Sequence, residues 1–210
     1  MPRVKTIGKR EEILEAASRV FAEKEFHEVL IDDVAALAGV GKGTVYRYFR
    51  TKEELYFETI LQAFDDLYAL LVKTSSRHVS ATGRLELIAR ETLQFSWQRR
   101  HLFSLLQSDE RRFAMREGDL RKRRDDIMAL VRKAIVDGIE WREFRGVDAR
   151  IAAELFRGMI RAANCFRSED DSLDYLVAEI IGIFTRGIGS PDYSWSPGRN
   201  PGNTLRRETL

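Results

Sequence analysis

The 210-residue sequence predicts an all-α protein. Three observations carry this. Apolar residues recur at spacings of three and four along nearly the whole chain, the period of an amphipathic helix. Alternating strand patterns flanking hairpin dipeptides are missing. Proline, which breaks helices, occurs before Pro191 only at Pro2.

The elements follow in order. A first helix is expected at about 9–24, with Ile13, Ala16, Ala17, Val20 and Phe21 as its apolar stripe. A short second helix runs from about Asp32 to Leu37, with Asp32 and Asp33 at its positive end. The glycines of "AGVG" break it, and a third short helix covers about Lys42 to Phe49. In "TKEEL", Thr51 reads as an N-cap, and Glu54 stands three residues on, the capping-box spacing. A long fourth helix therefore follows Thr51, to about residue 74. Further helices are expected at about 83–99, 101–108, 117–138, 148–166 and 172–188. The segment 191–210 holds three of the four prolines, with several Gly, Asn and Ser, and reads as a disordered tail.

Composition bounds the function. The chain is 44% hydrophobic and 32% charged, enough for a core and a solvated surface. Its net charge of +2 does not announce a nucleic-acid binder, so any basic footprint must be local. A single cysteine, Cys165, excludes an intrachain disulfide and a cysteine metal cluster, and with three scattered histidines no metal site is expected. No signal sequence and no apolar run of membrane-spanning length is seen. A reducing, cytoplasmic setting is the simplest expectation.

The local footprint lies in "GVGKGTVYRYF", residues 39–49. Glycines around Lys42 could belong to a phosphate-binding loop, which would make the chain a nucleotide-binding enzyme. That loop needs a glycine at 36, where the chain has Ala36, and a preceding strand, where "IDDVAALA" has helical spacing. Two short helices joined by a glycine-containing turn instead fit a helix-turn-helix, whose second helix enters the major groove. Lys42 and Thr44 would stand at the N-terminus of that helix, and Gly43 would let the backbone approach DNA closely. Tyr46 could touch a phosphate or a thymine methyl. Val45 and Phe49 would pack inward. From Lys42 through Lys52 the charged residues are Lys42, Arg47, Arg50 and Lys52, all positive. A helix-turn-helix used for protein interaction without reading DNA is the remaining alternative.

The stretch "IDDVAALAGVGKGTVYRYFRTKEELY", preceded by "KREEILEAASRVFAEKEF", resembles the DNA-binding domain of the TetR family of transcriptional regulators. The resemblance covers about residues 9–58. It implies DNA contacts at Lys42, Thr44, Tyr46, Tyr48 and Lys52, with Gly43 and Arg47 on the same short helix. Three residues depart from the family pattern. Leu30 and Ile31 stand where threonines are frequent, so Asp32 is expected to serve as a late cap. Gly41 replaces serine before Lys42, and Glu25 replaces a frequent glycine.

The resemblance further implies a division into residues 1–58, which bind DNA, and residues 59–190, a helical ligand-binding and dimerisation domain. The implied function is that of a ligand-responsive repressor. It would bind a palindromic operator on double-stranded DNA as a homodimer, and a small hydrophobic or amphipathic effector would release it. No cofactor is expected, and the setting is bacterial. The last two helices carry apolar faces wider than one stripe, with Leu155, Met159, Ala162 and Phe166 on one and Val177, Ile180, Ile181 and Phe184 on the other. Such faces fit a dimer interface or a hairpin buried within one chain. Tyr68, Phe95, Trp97, His101, Phe103, Asn164 and Cys165 mix aromatic and polar character on helices that could line a cavity. Each also fits an ordinary structural role: His101 as a satisfied histidine, Cys165 as a small buried hydrophobe.

Overall fold

The computed structural model describes residues 8–75, 80–102, 117–168 and 170–186, and among these there are helices and no strand. The helices are α1 (Lys9–Glu23), α2 (Ile31–Leu37), α3 (Lys42–Tyr48), α4 (Lys52–Ser75), α5 (Ala81–Gln98), α6 (Glu117–Glu140), α7 (Ala149–Phe166) and α8 (Leu173–Arg186). Residues 100–102 are also helical. The rest of the helix expected at 101–108, together with Phe103, and the tail expected at 191–210 lie outside the described residues.

The first three helices fold around α1. Its buried positions include all five of the expected stripe, with Leu14 added. Phe21 meets Tyr56 of α4 edge to face at 4.9 Å, and Phe26 meets the same ring at 5.0 Å. Burying a side chain the size of Phe21 contributes about 2–3 kcal/mol, so this cluster fixes how α1 sits on α4. Val45 and Phe49 are buried, as their four-residue spacing on α3 predicts.

The turn between α2 and α3 depends on one glycine. Gly39 has φ +64°. Its N–H donates to Ala36 C=O at 3.2 Å, and Val40 N–H donates to Ala35 C=O at 3.0 Å. This paired closure of a helix C-terminus requires a left-handed residue after the cap.

Two capping expectations have different outcomes. Thr51 Oγ1 accepts from Glu54 N–H at 3.0 Å as predicted, but the Glu54 carboxylate accepts from Arg50 N–H at 2.7 Å, one residue before the usual capping-box donor. Asp32 is not a late cap. Helix α2 already begins at Ile31, with Leu30 at the N-cap and no side-chain capping bond. The aspartates of its first turn pair with lysines instead.

Helix α4 is continuous over 24 residues, so the division expected at 58/59 falls inside it. It packs on α1 and also on α5 and α6. The remaining helices complete the larger body, where α5 touches α6, α7 and α8. At one end Glu143 clamps α5: its carboxylate accepts from Ala81 N–H at 3.0 Å and Thr82 N–H at 3.1 Å. Burial opposes ionisation of Glu143, but these amide bonds hold its carboxyl below the ordinary glutamate range.

Candidate functional site

The first candidate surface is α3. Its inner side carries Val45 with Phe49 just beyond, and its outer side carries Lys42, Gly43, Tyr46 and Arg47, all exposed. Residues 42, 43, 46 and 47 share one helical face. Thr44 is half-buried, and Tyr48 is exposed with the Arg47 guanidinium 5.5 Å from its ring. A Cβ built on Gly43 would meet nothing within 4 Å, so no protein neighbour requires glycine there.

Two of the lysines are already engaged. Lys42 Nζ donates to Asp32 Oδ2 at 2.7 Å, and this bond raises the lysine pKa. Lys24 Nζ donates to Asp33 Oδ2 at 2.7 Å, and the bond lowers the carboxyl pKa. The acidic start of α2 is thereby matched by cations from α3 and from the end of α1. Lys52, at the first position of α4, bends back over the Phe26 ring at 4.6 Å and reaches His27 C=O at 3.4 Å. Its partial burial pushes its pKa down.

This geometry is a helix-turn-helix with its polar helix outward. The sequence profile described as "Bacterial regulatory proteins, tetR family" matches residues 13–59, which span α1 to the first part of α4. Residues 13–59 are thus similar to the DNA-binding domain of TetR-family regulators. The match agrees with the helix-turn-helix geometry, and the phosphate-loop reading falls, since a helix precedes Lys42 where that loop needs a strand.

The chain is also similar to individual regulators. It is 40% identical over 68 residues to the uncharacterized HTH-type transcriptional regulator YhgD of Bacillus subtilis, covering 32% of this chain and 31% of that protein. Over 154 residues it is 24% identical to the fatty acid metabolism regulator protein of Bacillus subtilis, covering 71% of this chain and 78% of that one. Its fold is similar to the crystal structure of the transcriptional regulator FadR from Bacillus subtilis in complex with stearoyl-CoA. The TM-score is 0.70 at 20% identity, over 85% of this chain and 98% of that one.

The second candidate region is an open-mouthed cavity of about 270 Å³ between α4, α5, α6 and α7. Its apolar wall includes Phe64, Leu67, Ile88, Met128 and Phe156. Thr92, Ser96 and Asn164 supply neutral polar groups, and Arg124, Arg157 and Arg161 complete the lining. Of the expected ligand residues with described surroundings, Asn164 alone lines this cavity. Tyr68 is exposed. Phe95 is buried beneath Arg99, and Trp97 lies beneath Arg167. His101 Nδ1 lies 3.0 Å from Glu25 Oε1, as suits a satisfied histidine. Cys165 is exposed rather than buried. The aromatic character of these residues was visible in sequence, but their rotation about each helix axis was not.

The last two helices divide differently from the expectation. Val177 and Ile180 are buried within the chain itself, so they belong to its own core and not to an interface. Met159, Ile181 and Phe184 are partly buried against that core, and Phe184 meets Phe156 edge to face at 4.9 Å. Leu155 at 63% and Phe166 at 86% exposure remain outward, with exposed Ala162 between them. Ile151, also on the apolar face that the sequence predicts for α7, is exposed, and the structure adds Tyr175 and Ile183 on α8. Cβ atoms built on Gly158 and Gly182 would meet nothing within 4 Å. Among the described residues no group of three metal-ligating side chains occurs, and no helix is long and apolar enough to cross a membrane.

Proposed function

We propose that this chain is an effector-responsive repressor that binds a palindromic operator as a homodimer. The observation that carries the proposal is the outward face of α3, where Lys42, Tyr46 and Arg47 project from a helix anchored by Val45 and Phe49. A helix so anchored can enter a major groove, with Lys42 and Thr44 leading and Lys52 on the flanking phosphates. Lys52 must leave Phe26 to do so, and Lys42 must exchange Asp32 for the duplex.

The dimer rests on the outward apolar residues of α7 and α8, with Ile151, Leu155, Ala162 and Phe166 along one face of α7. A second copy would bury this face, and two recognition helices would then meet successive major grooves. The effector would occupy the cavity among α4, α5, α6 and α7. Because α4 also carries the packing surface of α1, a ligand that favours one position of α4 alters the spacing of the two α3 helices. The stearoyl-CoA of the FadR structure supports an amphipathic effector.

The test is selection of bound sequences from random duplexes, followed by titration of the selected duplex against a scrambled one. A preference for a two-fold symmetric site bound by two chains is expected. Equal affinity for both duplexes would overturn the proposal.

A further inference from the structure

Fourteen residues line the cavity; three of them are arginines and none is acidic. Arg157 and Arg161 stand four apart on α7, and Arg124 comes from α6. Arg157 Nε donates to Glu154 Oε2 at 2.8 Å, outside the lining. All three arginines are exposed residues, whereas Leu67, Ile88, Met128 and Phe156 are buried. The cavity therefore has an apolar depth and a cationic mouth. A cavity meant for a wholly apolar ligand needs no guanidinium at its mouth. Guanidinium is suited to carboxylate and phosphate, to which it can donate two parallel bonds. Thr92, Ser96 and Asn164 can orient the same group.

From this we infer that the cavity takes an anionic amphiphile, with its hydrocarbon chain among Leu67, Ile88 and Phe156 and its acidic head held by Arg124, Arg157 and Arg161. The inference rests on the effector-cavity reading above and adds the charge of the ligand and the residues that read it. The anionic head can be the carboxylate of a free fatty acid or the phosphates of an acyl-CoA thioester, and the two are separated by experiment.

The full-length protein is titrated calorimetrically with dodecanoate, dodecanoyl-CoA and dodecanol, which share one chain and differ in head. Binding of at least one anionic probe about tenfold or more tighter than dodecanol is expected, the scale of a charge-assisted hydrogen bond. Whichever anion binds tighter identifies the head. Arg161→Met and Arg124→Met should erase that advantage and leave dodecanol unchanged. Both positions are exposed, so circular dichroism should show both variants folded. Should an arginine variant unfold, the anion-over-dodecanol ratio of the wild-type protein still decides. Dodecanol binding as tightly as both anions, variants that keep the anion preference, or no binding by any probe would each overturn the inference. The release of operator DNA is measured separately. Arginine-dependent binding without release would leave the inference standing and sink the effector reading. Release by dodecanol alone would do the reverse.

Discussion

His101 Nδ1 lies 3.0 Å from Glu25 Oε1, joining the helical turn after α5 to the turn between α1 and α2, 76 residues apart in sequence. Beside it, Tyr56 Oη donates to Leu102 C=O at 2.5 Å. The α1–α2 turn and the N-terminal part of α4 are thus tied to the larger body by two adjacent residues. Glu25, which stands where the family often has glycine, supplies one of these ties.

These ties should carry part of the coupling between effector and DNA. His101→Ala should leave operator affinity of the ligand-free protein near that of wild type, while the effector-induced weakening falls by an amount worth about 0.5–2 kcal/mol. The check is operator affinity with and without ligand in His101→Ala, Glu25→Ala and the double variant. If the pair acts together, the double variant loses no more coupling than either single one.

Asp32 should restrain DNA binding. Its carboxylate holds Lys42 and is itself exposed on α2, which a helix-turn-helix lays across the DNA backbone. Asp32→Asn should strengthen binding to operator and scrambled duplex alike. The dependence of log affinity on log salt should stay near that of wild type, since Lys42 reaches the duplex in both proteins and the variant only spares it the loss of Asp32. Fluorescence anisotropy over a salt series measures both quantities.

Gly39→Ala should destabilise the helix-turn-helix by about 1–2 kcal/mol. A Cβ has open space there, but the φ of +64° does not suit it. The loss should appear as lower protection of the α2 and α3 amides from hydrogen exchange, with α5 to α8 unaffected.

Arg84 and Asp137 form the ion pair that ties α5 to α6, with side chains 13% and 14% exposed and a nitrogen-oxygen distance of 2.5 Å. Burial works against the Asp137 charge, but hydrogen bonds from Arg84 and Lys133 prevail, and its carboxyl sits below the ordinary aspartate range. A depressed folded pKa contributes stability above the unfolded value of about 3.9, and that stability is lost as pH falls through the folded pKa. Asp137→Asn should cost about 2 kcal/mol at neutral pH, between an exposed and a fully buried pair. The gap to wild type should close below about pH 4. Urea unfolding at a series of pH values checks the sign.

How much was legible in sequence depends on whether spacing alone decides a residue's place. Ile13, Ala17 and Phe21 announce the α1 core because one stripe on one helix needs no tertiary information. The α2–α3 turn was legible because glycine at 39 serves a backbone need. Val177 and Ile180 were misplaced because a helix apolar on two sides does not say which side its own chain covers. The arginines of the cavity mouth were visible as residues, but Arg157 and Arg161 four apart look the same on a solvated face. Their meaning comes from Arg124 of α6 lining the same cavity. The Glu25–His101 contact joins residues too far apart for any periodicity to relate.

The central claim is that the outward face of α3 reads DNA, and it is tested most directly by Tyr46→Ala. Anisotropy of wild type and variant is measured on the selected operator and on a scrambled duplex at equal salt. The account predicts a loss of about 1–3 kcal/mol on the operator and a much smaller one on scrambled DNA, as for a side chain that touches a base. Unchanged affinity of Tyr46→Ala for the operator, with Lys42→Ala also unchanged, would contradict it.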